Sequence, residues 1–169
     1  KLSKKIDLKL FDIRDLNKLD KFVKKKKPQI IFHLAAQPLV IDSYKKPHTT
    51  FNVNFVGTLN ILEVGKKYKF IKSIICVTSD KVYENTGKIS GYKETNILGG
   101  VDPYSASKSS SEIIIRSYRE SFFKKKKNTT GVSSVRAGNV IGGGDWSENR
   151  LIPDCIRFLI RKKKIILRN

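Results

Sequence analysis

The sequence lacks methionine entirely and contains one tryptophan and only two cysteines among its 169 residues. Without an initiator methionine, we expect residues to precede Lys1, and the ending KKKIILRN, which stops just after an apolar run, suggests truncation there too. Cys76 and Cys155 do not have the spacing of a metal or redox motif. Cys76 lies inside an apolar run, so we expect a small core residue, which fits a reducing cytoplasm.

Long hydrophobic runs are also missing. No apolar stretch approaches the roughly 18–20 residues that span a bilayer, and no secretory signal is visible. We therefore expect a cytoplasmic chain without a membrane partner. The length is sufficient for one domain with a hydrophobic core.

Acidic residues are scarce, since 15 Asp and Glu stand against 35 Lys and Arg, giving a net charge of +20. Such a charge favours phosphate-rich partners. The lysines, however, are concentrated in clusters that each follow an amphipathic helical run, where cations favour the helix C-terminus. The clusters occupy residues 24–27, 66–69, 124–127 and 161–164. Because no aromatic residues are interleaved as stacking platforms, we predict solvated lysines and no nucleic acid partner, with a basic nucleic-acid-binding protein as the alternative.

The remaining sequence alternates strand and helix patterns. Strands are predicted for IDLKLFDIRD, QIIFHLAA, FIKSIICV and GVSSVRAG. Helices are predicted for LNKLDKFV, for residues 47–69, for residues 102–123 with Asp102 as N-cap and Pro103 in the first position, and for LIPDCIRFLI. Strands separated by helices predict the α/β class, a doubly wound parallel sheet with helices on both faces.

Small and polar residues follow three of the predicted strands, in LAAQ, SDK and RAGN. In a parallel sheet of this kind, ligands bind outside the carboxyl ends of the strands. The sequence therefore predicts a binding site at that edge. His33, inside an apolar strand, is predicted to be a core histidine, and no metal site is expected.

The segment YSASK places Tyr104 and Lys108 four residues apart, on one face of a helix and about one turn from each other. A nearby ammonium favours the phenolate, so such a tyrosine can take a proton from a sugar hydroxyl. The apolar positions of this helix, Ala106, Ile114, Tyr118 and Phe122, lie on another face. We therefore did not expect Tyr104 and Lys108 to belong to the core.

Together, Ser79 at a strand end and Tyr-x-x-x-Lys resemble the extended short-chain dehydrogenase/reductase family, as do HLAAQ and NVNFVGTLNILEV. VTSDKVYEN, GGVDPYSASK and SVRAGNVIGGGDW are most similar to its sugar-nucleotide 4,6-dehydratases, in particular those that act on CDP-glucose. The resemblance covers the chain from about Asp12 to Asn169. It implies a Rossmann-like sheet, incomplete at both ends, and an NAD cofactor.

The resemblance also implies catalytic roles. Tyr104 would take the C4 hydroxyl proton while hydride passes to NAD, with Lys108 holding the ribose and Ser79 bonding the same sugar oxygen. Asp80 would protonate the departing C6 hydroxyl. Lys81 occupies the position of a C5 base in related enzymes, and whether it is that base or stabilises the enolate stays open. The product would be CDP-4-keto-6-deoxyglucose.

Binding residues follow from the same resemblance. NAD would contact Asp12, Ile13, Leu34, Ala35, Ala36, Gln37, Val53, Val77, Tyr104 and Lys108. The nucleotide sugar would contact Ser79, Asn139, Arg150, Leu151 and Ile152. Residues 1–140 would form the NAD-binding domain, and residues 141–169 the truncated start of a substrate-binding lobe. No strand–GxGxxG–helix unit occurs in the sequence, so we expect the phosphate loop to lie before Lys1.

Other members of the family remain as alternatives at this stage. They are a dTDP-glucose or GDP-mannose dehydratase and a hexose 4-epimerase, although an epimerase needs no elimination acid and Asp80 argues against it. The resemblance also implies a homo-oligomer for the full-length protein.

Overall fold

The computed structural model describes residues 6–124 and 130–166. The chain forms two compact units, the first ending at Arg136 and the second beginning at Ala137. The first unit contains the sheet and most of the helices, and the second contains one helix.

Three parallel strands form the sheet of the first unit, in the order β1-β2-β3. They are β1 (Ile30–His33), β2 (Ser73–Val77) and β3 (Gly131–Val135). Their β-branched and apolar residues fit a pleated, half-buried surface, and Ile74 of β2 is in register with Ile31 and Val132. The predicted α/β class with a parallel sheet is confirmed.

Six α-helices complete the described structure: α1 (Leu16–Lys26), α2 (Val40–Lys45), α3 (Pro47–Phe51), α4 (Gly57–Lys67), α5 (Pro103–Tyr118) and α6 (Leu151–Ile160). A π-helical turn, Asn52–Val56, joins α3 to α4 inside the segment that we predicted as one helix. A second π-helical turn, Arg119–Phe123, continues α5. Helix α2 was not predicted. No helix in the described ranges has both the length and the apolar composition needed to cross a bilayer.

The hydrophobic core lies between one face of the sheet and helices α1, α4 and α5. Its centre consists of side chains without solvent exposure, including Leu62 and Ile74. Burying one such side chain contributes about 1.5–3 kcal/mol to folding. Gly65 of α4 allows close packing on β2, because a Cβ at this position would lie 2.2 Å from the Cδ1 atom of Ile74.

The opposite face of the sheet is exposed in the first unit. Three of its apolar side chains remain exposed to solvent, namely Ile30 (54% exposed) and Phe32 (64%) of β1 and Val135 (47%) of β3. The helices of the core cluster, α1, α4 and α5, pack on the other face.

The predicted strand over residues 6–15 is wrong, since no strand is formed there. Leu8 and Leu10 are exposed instead. An alternating pattern yields a strand only when a neighbouring strand receives its hydrogen bonds. Here the end of the segment is attached to α4, because the Asn60 side-chain amide donates to the carbonyl oxygens of Ile13 and Arg14, each at 3.0 Å.

Lysines occupy helix ends, as predicted. The last turn of α1 holds Lys24–Lys26, and the last turn of α4 holds Lys66 and Lys67. Cations in these positions interact favourably with the partly negative helix C-terminus. Of the predicted cluster at 124–127, only the first lysine belongs to the described residues.

Candidate active site

The end of β2 continues into the SDK segment. Ser79 caps a short 3-10 turn, Asp80–Val82, and its hydroxyl oxygen accepts from the backbone N–H of Lys81 at 3.2 Å. The same hydroxyl donates to Oδ1 of Asp80 at 3.1 Å. Ser79 is buried, whereas Asp80 and Lys81 are exposed. The segment thus presents one carboxylate and one ammonium to solvent above a fixed serine.

Helix α5 begins beside this segment with the predicted cap. The Asp102 carboxylate accepts from the backbone N–H of Ser105 at 3.0 Å and from its hydroxyl at 2.5 Å. Pro103 occupies the first helical position, where its missing N–H costs nothing. Gly100 precedes the cap with φ +131°, and a Cβ there would lie 2.5 Å from the backbone nitrogen of Ala106. The first turn of α5, which carries Tyr104, is therefore tightly held.

Lys108 is buried, which corrects the expectation that the Tyr104–Lys108 face lies outside the core. Its side chain reaches the end of β2 and donates from Nζ to the carbonyl oxygen of Val77 at 3.1 Å. Burial lowers the pKa of Lys108, because the charged form is less well solvated. Tyr104 is half-buried one turn earlier. In the described part of the chain, no hydrogen bond joins Tyr104 to Ser79.

Serines, rather than the predicted apolar stripe, fill much of the buried face of α5. Ser105, Ser107, Ser109 and Ser111 are buried, whereas Phe122 is 38% exposed. These small side chains allow neighbouring segments to pack closely on α5, and their hydroxyls form hydrogen bonds within the protein. Ser111, for example, donates to the carbonyl oxygens of residues 54 and 107, at 3.1 and 2.9 Å.

Asn54 is a buried residue that the sequence reasoning missed. Its amide oxygen accepts from the backbone N–H of Gln37 at 2.8 Å. Its amide nitrogen donates to the carbonyl oxygen of Gln37 at 3.1 Å and to the hydroxyl of Ser107 at 2.8 Å. Asn54 therefore fastens the loop after β1 to α5. The available signal was a polar residue placed directly between Val53 and Phe55.

Glu112 is the second residue that was missed. It is buried on α5 and accepts hydrogen bonds from Thr78, Ser134 and Arg136. The signal was its spacing, four residues after Lys108, which places both on one helical face.

Apart from Val53, Val77 and the two residues of α5, the residues predicted to bind the cofactor lie in two segments of the first unit. These are residues 12–13 and residues 34–37. Asp12 forms a bidentate pair with Arg14, whose hydrogen bonds lower the pKa of this exposed carboxyl to about 2. The second segment, residues 34–37, follows β1 directly. Leu34 and Ala35 are exposed there, and Gln37 is fixed by Asn54.

His33 and Cys76 are paired in register beneath this edge and are both buried. Burial, reinforced by the charge of Lys108, lowers the pKa of His33 to about 4. Burial, reinforced by Glu112, raises the pKa of Cys76 to about 12. Both groups are thus neutral near pH 7, in agreement with the predicted core roles.

An open cavity of about 1730 Å³ lies beside the SDK segment. Asp80, Lys81, Tyr83 and Arg136 belong to its lining. The cavity combines charged groups with aromatic surface, as ligand sites do.

The remaining residues predicted to bind substrate belong to the second unit. Asn139, Leu151 and Ile152 are exposed, and Arg150 lies 3.5 Å from the Asp145 carboxylate, measured from its Nε atom. Helix α6 begins at Leu151. Across residues 6–124 and 130–166, no group of His, Cys, Asp and Glu is arranged to hold a metal ion.

Sequence comparison finds similar proteins with related chemistry. The family model described as GDP-mannose 4,6 dehydratase matches residues 1–138. CDP-glucose 4,6-dehydratase from Salmonella typhimurium is 46% identical over 161 residues, covering 94% of this chain and 45% of the relative. The chain thus spans about half the length of the curated relatives that it matches.

Solved structures show the same fold. The dTDP-glucose 4,6-dehydratase of Bacillus anthracis in complex with NAD superimposes with a TM-score of 0.74 at 27% identity, covering 92% of this chain and 44% of that one. The UDP-glucose 4-epimerase of Thermotoga maritima with UDP-glucose gives a TM-score of 0.80 at 24% identity, covering 91% and 48%. With a parallel sheet, a YxxxK helix at its edge and these matches, the chain belongs to the GDP-mannose 4,6 dehydratase family.

Proposed function

We propose that this protein is a sugar-nucleotide 4,6-dehydratase that uses NAD to convert CDP-glucose to CDP-4-keto-6-deoxyglucose. The observation that carries the proposal is the bond from Lys108 to Val77, at 3.1 Å. It holds the YxxxK face of α5 against the strand end that continues into Ser79 and Asp80. The similarity to a CDP-glucose 4,6-dehydratase at 46% identity supports the choice of nucleotide.

The residues of this edge fit NAD. An ammonium has three donors, and within the described residues Lys108 uses one of them, on Val77. The two others suit the hydroxyls of a ribose. Exposed Leu34 and Ala35 offer apolar surface to the dinucleotide, and Asp12 with Ile13 would lie near the adenine. When bound, NAD accepts hydride from C4 of the sugar and later returns it to C6.

Oxidation requires that the C4 hydroxyl lose its proton. Tyr104 accepts that proton as phenolate, and Lys108 stabilises the phenolate electrostatically. Ser79 donates a hydrogen bond to the same sugar oxygen after exchanging its present partner, Asp80. The C4 ketone that results makes the C5 proton acidic.

Elimination then breaks the C6–O bond. The C5 proton is taken by Lys81, or by solvent where Lys81 instead stabilises the enolate, and the electron pair of the C5–H bond forms the C5=C6 double bond. Asp80 donates a proton to the C6 oxygen, which leaves as water. After reduction at C6, a proton returns to C5 from the same source. The proton that Tyr104 accepted passes through solvent to Asp80, so the sum is loss of one water with the cofactor and both side chains regenerated.

Substrate contacts in the second unit complete the proposal. Asn139 would contact the sugar nucleotide, and Arg150, Leu151 and Ile152 would lie near the nucleotide. We further propose that the full-length protein is a homo-oligomer in the cytoplasm, acting on its nucleotide sugar without a nucleic acid partner.

The test is to incubate the full-length protein with CDP-glucose, dTDP-glucose, UDP-glucose and GDP-mannose, without added reductant, and to follow the products by mass and by NMR, which resolves C4 epimers. We expect loss of water from the CDP sugar. Loss of water from none of them would refute the dehydratase proposal. Preference for another nucleotide would refute the substrate alone, and a C4 epimer without water loss would identify an epimerase.

Two variants test the assignment of roles. Tyr104→Phe keeps the ring but removes the proton acceptor, so neither ketone nor product should form. Asp80→Asn cannot donate a proton as an acid, so the 4-keto-glucose nucleotide should accumulate while water loss slows by about 10²–10⁴-fold. Equal blockage of the first oxidation by both variants would show that Asp80 is not a dedicated elimination acid.

A further inference from the structure

Glu112 is a buried carboxylate at the middle of α5, with 5% of its surface exposed. Its Oε1 atom accepts from the Thr78 hydroxyl at 2.5 Å. Its Oε2 atom accepts from the Ser134 hydroxyl at 2.9 Å and from Nη2 of Arg136 at 3.0 Å. The donors belong to β3 and to the residues that follow β2 and β3, so one side chain joins two strand ends to the helix.

A buried carboxylate needs partners that offset the free-energy cost of its desolvation, because a buried charge is costly unless it is paired and hydrogen-bonded. Burial raises the pKa of Glu112, but the hydrogen bonds from Arg136, Thr78 and Ser134 outweigh this effect and leave the pKa lowered. The carboxylate is therefore ionised near pH 7, and each bond to it is charge-assisted.

Thr78 connects Glu112 to the SDK segment. Its backbone N–H donates to the carbonyl oxygen of Val135 at 2.8 Å, which extends the β2–β3 ladder by one residue. Its hydroxyl lies nearer to Glu112, at 2.5 Å, than to that carbonyl oxygen, at 3.3 Å. Ser79 and Asp80 follow immediately, so the bond to Glu112 holds the residue from which they project.

Arg136 connects the same carboxylate to the cavity wall. Its guanidinium carbon lies 4.9 Å from the centre of the Tyr83 ring, and its Nη1 donates to the carbonyl oxygen of Glu94 at 3.3 Å. Tyr83 in turn stacks on Tyr92, with ring centres 5.1 Å apart. Without Glu112, Arg136 would lose its ion pair and this wall would lose its anchor.

We propose that Glu112 is a positioning residue that fixes Ser79 and Asp80 through Thr78 and fixes the cavity wall through Arg136. This inference rests on the proposed dehydratase function where it concerns catalysis. Glu112 contacts neither substrate nor cofactor. It acts by setting the geometry of the groups that do.

The test uses Glu112→Gln and Thr78→Val in the full-length protein, with Glu63→Gln as the matched control. Glu63 is also hydrogen-bonded within the protein, to Lys66 and Tyr118, but lies on α4. Glutamine keeps the size of glutamate and removes its charge. Valine keeps the shape of threonine and removes the hydroxyl.

We expect kcat for water loss from CDP-glucose to fall by about 10²-fold in Glu112→Gln, since a misplacement of about 1 Å costs that much. KM should change by less than about threefold, because ground-state binding is not removed. Adding Thr78→Val to Glu112→Gln should cost little more, since both act through one bond. Glu63→Gln should keep the wild-type kcat. Additive losses, or equal losses in the control, would overturn the proposal.

Hydrogen exchange supplies a readout that does not need turnover. In Glu112→Gln, amides of residues 78–83 and 131–136 should exchange faster, whereas Glu63→Gln should leave them protected. Unchanged protection there overturns the positioning role even if the protein proves not to be a dehydratase. Faster local exchange in a protein that dehydrates none of the nucleotide sugars would instead refute the proposed function and retain the structural assignment. If Glu112→Gln does not fold, Thr78→Val carries the same two measurements.

Discussion

Acidification should destabilise the protein through His33. The ring is 5% exposed, and its Nε2 lies 3.0 Å from the Thr58 hydroxyl oxygen. That hydroxyl donates its single hydrogen to the carbonyl oxygen of Asn54 at 2.6 Å. It must therefore accept from Nε2–H, which fixes the neutral tautomer of His33. Protonation at Nδ1 would create a buried cation near Lys108.

The magnitude follows from the shift of the His33 pKa from 6.5 to about 4. Because the folded state binds the proton more weakly, stability is complete above the unfolded pKa and is lost as the pH falls through the interval from 6.5 to 4. A shift of about 2.5 units corresponds to about 3 kcal/mol in total, of which about 2 kcal/mol should be lost by pH 5. Carboxyl groups with lowered pKa values act mainly below that pH.

Urea unfolding between pH 7.5 and 5 measures this effect. The 169-residue sequence contains two histidines, and His48, which is exposed, provides the control. His33→Leu should flatten the dependence of the free energy of unfolding on pH, because Thr58 keeps its bond to Asn54 and no titrating ring remains. His48→Gln should preserve the slope. An unchanged slope in His33→Leu would refute the reasoning.

Two further predictions concern Lys81 and Asn54. The Lys81→Met enzyme should form the 4-keto-glucose nucleotide but eliminate water from it slowly. The Lys81→Arg enzyme should be equally slow, since a guanidinium does not deprotonate. If mass spectrometry shows that Lys81→Arg eliminates water at the wild-type rate, the role of Lys81 is purely electrostatic. Asn54→Leu should lower the free energy of unfolding by about 3 kcal/mol, because three hydrogen bonds are lost at about 1 kcal/mol each; Asn52→Leu on the same π-helical turn is the control, and an equal loss in both would contradict the bridging role.

Sequence periodicity predicted the strands and helices of the core, because the apolar residues that make up each pattern are the ones that become buried. The strands around Ile31, Ile74 and Val132 and the helix with Leu62 lie where their apolar residues indicated. The segment 6–15 shows the limit of this reasoning. It alternates apolar and polar residues at positions 6, 8 and 10, but a strand requires a neighbour, and pairing is not a local property of the sequence.

Helix α5 shows a second limit. Its apolar residues suggested one buried face, but besides Ile115 the structure buries four serines and Lys108. Buried serines can pack closely against a sheet edge, because their hydroxyls donate hydrogen bonds to carbonyl oxygens of the helix backbone. Their polarity in the sequence therefore gave no indication that they are buried. Glu112 and Asn54 were missed for the same reason. Each is polar in sequence and buried in structure because its partners come from distant segments.

The spacing of Tyr104, Lys108 and Glu112 acquires its meaning from β2. Lys108 bonds the carbonyl of Val77, and Glu112, one turn later, accepts from Thr78. Two bonds from successive helical turns to successive residues of the strand end fix both the rotation and the translation of α5. The hydroxyls of Ser107, Ser109 and Ser111 also bond α5 to residues 54 and 82, but none of them reaches the end of β2. We therefore expect the position of Tyr104 relative to Ser79 to depend on Glu112, although Glu112 lies two turns from Tyr104.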